Sequence, residues 1–112
     1  MYKLCFFIPE THVEQVKEAL FDKGAGHIGQ YDHCSWQVLG EGQFRPLDSS
    51  NPFIGKLNEL EEVDEYKVEM IVKDEFVKTA VAALKKVHPY EEPAYSVLRL
   101  DETGRRSTLR PV

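Results

Sequence analysis

Residues 63–100 read VDEYKVEMIVKDEFVKTAVAALKKVHPYEEPAYSVLRL, and the changes of period along them decide the fold. Between Val63 and Val72, the side chains of Tyr66, Val68, Met70 and Val72 alternate with Glu65, Lys67 and Glu69. That period of two is the pattern of a strand with one buried and one wet face. From Asp74, placed as an N-cap, the period becomes helical: Val77, Ala80, Val81, Leu84 and Val87 fall on one stripe. The run His88-Pro89-Tyr90-Glu91-Glu92-Pro93 then stops the helix. Proline fixes its own φ and drives the preceding residue away from helical geometry, so this run is a stiff turn that holds its polar groups in a set arrangement. A last strand follows over 94–100.

The N-terminal half repeats the theme. Residues 2–8 read as a strand ended by Pro9; Cys5 and Phe7 make its second face apolar too, which places it centrally in a sheet. Thr11-His12-Val13-Glu14 matches a capping box, and a helix runs from there to about Lys23 with Val13, Val16 and Leu20 on its buried face. Gly24 terminates it. A glycine-punctuated loop covers 24–34, and a second strand spans 35–39 with an extension toward Phe44. Residues 45–60 have loop composition, with a short helical turn expected within 56–62; irregular connections this long usually have a function.

The order β-α-β-β-α-β predicts an α+β fold, a ferredoxin-like sandwich with an antiparallel sheet and two helices on one face. One domain is expected over 1–100, followed by a polar tail over 101–112. Phe7, Trp36 and Tyr95 are expected on the sheet face opposite the helices. Such a face is usually covered by another subunit, so the chain is expected to be a homo-oligomer.

The 112 residues are 42% hydrophobic and 29% charged, with a net charge of −5. This is ordinary globular composition, and its acidity argues against a nucleic-acid partner, which needs a basic face. The one basic cluster, Arg105, Arg106 and Arg110, falls in the tail. No apolar run reaches the roughly 20 residues that span a bilayer, and the run from Leu4 to Ile8 reads as a strand, not a leader. A cytoplasmic location without membrane contact is expected. Cys5 and Cys34 lack CxxC spacing, and no disulfide is expected between them.

Gly24-Ala25-Gly26-His27-Ile28-Gly29 matches GxGxxG but follows a helix and precedes a strand, the reverse of what a dinucleotide-binding turn requires. Its backbone N–H groups could instead hold an anion. His27, His33 and His88 with Cys34, Glu91 and Glu92 have the donor types of a divalent-metal site, but the spacing is no strong signature. In the alternative reading, His88 closes the end of its helix and the glutamates pair with a neighbouring subunit. His88 with Glu91 or Glu92 could also form an acid–base pair, but nothing nearby supplies a nucleophile, so catalysis is not expected.

The runs GAGHIGQYDHCSW, GEGQFRPL, NPFIG and HPYEEPAY together resemble the PII/CutA-like insert domain of the Nif-three-like (NGG-one-interacting factor three) family, here expected as a stand-alone protein. The resemblance covers about residues 1–100. HPYEEP is similar, more distantly, to CutA, a trimeric ferredoxin-like protein linked to divalent-cation tolerance. The resemblance implies the fold and a tendency to form trimers. In the family, the metal-binding residues lie in flanking domains outside this sequence, so the metal-assisted hydrolase role is not carried over. Together these readings predict an oligomeric binding or interaction module, with a CutA-like divalent-metal binder and a metal-assisted hydrolase as alternatives. The expected site joins the 24–34 loop to the His88–Pro93 turn at a subunit edge. His88, Tyr90, Glu91, Glu92, Tyr95, Gly26 and Gly29 are its candidate ligand-binding residues, and His88, Glu91, His33 and Cys34 its candidate metal ligands.

Overall fold

The structure is a computed structural model and describes residues 1–104, so of the tail expected at 101–112 the part from Arg105 onward lies outside the described residues. The elements are β1 (Tyr2–Pro9), α1 (Val13–Asp22), β2 (Trp36–Phe44), β3 (Glu61–Val72), a 3-10 turn (Asp74–Phe76), α2 (Val77–Val87) and β4 (Tyr95–Arg99). The four strands form one sheet in the order β2-β3-β1-β4 with antiparallel neighbours throughout. This is the α+β ferredoxin-like architecture expected from the sequence.

The register assigns the faces, because residues directly opposite one another share a side of the sheet. Leu4 pairs with Met70 and Val97, and Phe6 with Val68 and Tyr95; these face the helices. There they meet Val16 and Leu20 of α1 and Ala80 and Leu84 of α2 in one buried cluster. The opposite side carries Cys5, Phe7, Trp36, Val38, Ile71 and Leu98 among Lys3, Glu65, Lys67 and Glu69. Trp36, Val38 and Leu98 are 56%, 44% and 54% exposed, so this side is not covered by the described residues. Phe7 and Trp36 lie where the alternation predicts. Tyr95 does not: it pairs with Phe6 and packs against the core on the helix side. A period of two leaves the side open until the register is known, and the register here is offset by one from the assignment made in sequence.

Two helix starts also differ from the sequence reading. The Thr11 hydroxyl bonds the neighbouring His12 Nδ1 at 2.7 Å, and α1 begins at Val13 without a side-chain cap. Asp74 opens a 3-10 turn rather than capping α2, because its carboxylate pairs with the Met1 ammonium and with Arg99. Charge-assisted partners outcompete a backbone N–H for the same oxygens. In place of the helical turn expected within 56–62 there is a β-turn, closed by Glu59 N–H donating to the Lys56 carbonyl at 3.2 Å with Asn58 at φ 61°, and β3 already begins at Glu61.

The chain direction sets the two ends of the domain. β1 and β2 run one way, and α1 returns between them; β3 comes back and α2 returns again. The 24–34 loop therefore sits at the end of the sheet where β1 starts. The 45–60 loop and the His88–Pro93 turn sit together at the end where β1 stops.

Candidate functional site

At that second end the long loop is built into the fold. Asn58 N–H donates to the Pro46 carbonyl and closes the loop's base, and Ser50 bonds the Leu47 carbonyl through both its N–H (2.9 Å) and its hydroxyl (2.7 Å). Asn51 N–H donates to Glu91 Oε1 at 2.9 Å, which ties the loop to the turn across 40 residues of sequence. Phe53 stands edge-on to His12 at 5.3 Å between ring centroids and lies 6.4 Å from Tyr90. Compact loops of this size with tethered ends, packed by their own side chains, are frequently functional.

Between loop and turn lies a cavity of about 400 Å3. Phe7, Phe44, Phe53 and Tyr90 supply its aromatic lining, and Glu65 lies among them half-buried. The Tyr90 hydroxyl donates to Glu65 Oε2 at 3.1 Å. Burial, and then the Glu65 carboxylate, push the Tyr90 phenol far above its ordinary range, so it stays protonated as a donor. Gly42 makes room for this pair: a Cβ there would occupy the space of the Glu65 carboxylate. Glu91, Glu92 and Arg45 are exposed residues of the same lining.

His88 is not a lining residue. It is 6% exposed, the one buried polar side chain among the described residues. Its Nε2 lies 2.7 Å from the Phe7 carbonyl oxygen, and its Nδ1 lies 3.1 Å from Tyr90 N–H. A carbonyl only accepts and an N–H only donates, so the partners select the neutral ring with its proton on Nε2. Burial, chiefly, lowers the His88 pKa below the ordinary 6.5; the Phe7 bond opposes this and the charge of nearby His12 adds to it. Both ring nitrogens are thus engaged with backbone. His88 locks the turn onto β1 and sets the position of Tyr90.

The other predicted residues lie elsewhere. His33 and Cys34 are at the opposite end of the sheet, near Lys3. Lys3 and Phe7 are four positions apart along β1, about 13 Å. The structure thus does not join the 24–34 loop to the His88–Pro93 turn within one chain, because each follows a helix that returns to a different end of the sheet. His33, at φ 56°, is exposed and sits 3.3 Å from both Glu18 and Asp32, which raise its pKa, Asp32 the more strongly. Gly26 has φ 74° and is buried; a Cβ would meet the Phe21 ring at 2.7 Å and the Cys34 carbonyl oxygen at 2.8 Å. Its N–H donates to the Ile71 carbonyl and its carbonyl accepts from Cys34 N–H, so the Gly26 N–H is not available to an anion. Gly29 lies in the tight turn between Ile28 and Tyr31. Of the candidate ligand residues, Tyr90, Glu91 and Glu92 line the cavity; His88, Tyr95, Gly26 and Gly29 do not.

The metal set does not fit the structure. His88 has no free nitrogen, and His33 and Cys34 are remote from Glu91. No three His, Cys, Asp or Glu side chains among the described residues are placed to hold a metal ion. Both His88 nitrogens being engaged, the turn offers no free imidazole, and its exposed carboxylates are Glu91 and Glu92. Phe44, Phe53 and Glu65 were missed as cavity residues in sequence. The available signal was the loop composition of 45–60 beside a strand that alternates cleanly through Glu65.

No helix among the described residues is long and apolar enough to cross a membrane. No protein-family model matches the chain. Over 104 residues it is 50% identical to a GTP cyclohydrolase 1 type 2 homolog of Halalkalibacterium halodurans, a match covering 93% of this chain and 28% of that protein. The crystal structure of a Bacillus cereus protein related to NIF3 superposes with TM-score 0.76 at 40% identity, over 89% of this chain and 25% of that one. The PII-like protein CutA of Nostoc sp. PCC 7120 shares the fold alone, with TM-score 0.66 at 15% identity over 92% of this chain and 84% of that one. The chain thus spans about a quarter to a third of the relatives that it matches in sequence. It is similar, over nearly its whole length and in both sequence and fold, to one segment of the NIF3-related proteins, and that segment has a PII/CutA-like fold.

Proposed function

We propose that this chain is a self-associating binding module, in which copies cover one another's open sheet sides and the cavity between the 45–60 loop and the His88–Pro93 turn takes a small ligand. The observation that carries the reading is an apolar side of the sheet that no described residue covers, where Trp36, Val38 and Leu98 stand exposed beside half-buried Phe7 and Ile71. Exposed apolar side chains gathered on one sheet side mark an interaction surface. Phe7, Phe44 and Glu65 belong to the same side, so the cavity lies beside that surface, and a trimer is the assembly that the PII/CutA likeness favours. The cyclohydrolase activity that the larger relatives' name suggests is not assigned to this segment. Trp36 is the single tryptophan and tests the reading directly. Self-association shields it from iodide quenching at high protein concentration and restores quenching on dilution. Quenching that is unchanged by concentration, at the level of an exposed indole, sinks the self-association reading.

A further inference from the structure

We infer that the cavity selects a small organic ammonium carried on an apolar body. The inference rests on the ligand-binding reading of the cavity and names the chemistry of its occupant. Tyr90 lies 6.2 Å from Phe44 and 6.4 Å from Phe53 between ring centroids, so three rings stand around one opening. Aromatic faces attract a cation within about 6 Å, most strongly where water is excluded. The Glu65 carboxylate lies among these rings and accepts one hydrogen bond, from Tyr90. A carboxylate oxygen has two acceptor sites, so Glu65 keeps capacity for a second donor. Glu91 and Glu92 add negative charge, and Arg45 is the one cationic side chain among the lining residues, so carboxylates outnumber cations three to one. Apolar walls suit the body of the ligand, and the half-buried Glu65 carboxylate suits its head.

The test uses three phenyl probes of similar size and different charge: 2-phenylethylammonium chloride, 2-phenylethanol and sodium 3-phenylpropionate. Each is titrated into the 15N-labelled protein while the amide shifts of Asn51, Phe53 and Tyr90 are followed. The ammonium is expected to shift these amides and to bind about tenfold more tightly than the alcohol. Glu65→Gln, which keeps an acceptor for Tyr90, should remove the preference and leave the alcohol unchanged. Phe53→Ala, an exposed loop change that leaves the core intact, should weaken the ammonium as well. Equal binding of ammonium and alcohol, or preference for the carboxylate, overturns the inference and leaves the cavity as a ligand site. No shift with any probe overturns the ligand-binding reading together with it.

Discussion

His88→Ala is expected to destabilise the domain severely. The ring is 6% exposed and bonded to the Phe7 carbonyl at 2.7 Å and to Tyr90 N–H at 3.1 Å. Truncation leaves a carbonyl and an amide without their partner, and an unsatisfied buried group costs about 1–3 kcal/mol. The vacated ring space adds a cavity cost, giving a total of about 2–4 kcal/mol. In a domain of this size that lowers Tm by roughly 10–25 °C. His88→Gln, whose amide nitrogen can still donate to Phe7, should recover a substantial part of the loss. Urea denaturation of the three proteins at pH 7.5 decides the matter. If His88→Ala lies within about 0.5 kcal/mol of the unchanged protein, His88 is not the lock described here.

The same residue sets a pH dependence. His88 is lowered below 6.5 in the fold, so its contribution is complete above 6.5 and is lost as pH falls through 6.5 toward the folded value, because the unfolded chain takes the proton first. His33 is raised and so acts in the opposite sense: its contribution is present below 6.5 and fades as pH rises through its folded value. Being exposed, its effect is small. Denaturation midpoints between pH 7.5 and 5 should therefore fall in the unchanged protein and flatten in His88→Gln. Gly26→Ala should cost about 1–3 kcal/mol by thermal unfolding, because φ 74° and the Phe21 ring both oppose a side chain there. Tyr90→Phe should cost only about 1 kcal/mol, since one partly buried hydrogen bond to Glu65 is lost without a void.

The architecture was legible because its signals are periodic. The stripe of Val77, Ala80, Val81, Leu84 and Val87 and the alternation from Tyr66 to Val72 each constrain several residues at once. Single-residue readings fared less well. Tyr95 lay one register step from its expected side, and Thr11 and Asp74 gave their oxygens to His12 and to the N-terminus instead of to helix N–H groups. The site was half legible. HPYEEP stood out as a stiff turn, and Tyr90, Glu91 and Glu92 do line a cavity. Within one chain the connectivity delivers 45–60, not the glycine-rich 24–34, to the turn. His88 has the residue type of a ligand, and only its burial and two backbone partners distinguish a lock from a site.

The central claim, that copies of this chain cover one another's open sheet sides, is tested most directly by the solution mass from light scattering across a hundredfold range of concentration. The account predicts a whole-number multiple of the chain mass, three being favoured, and reversion to the single-chain mass in Trp36→Glu. A single-chain mass for the unchanged protein at every concentration would contradict it.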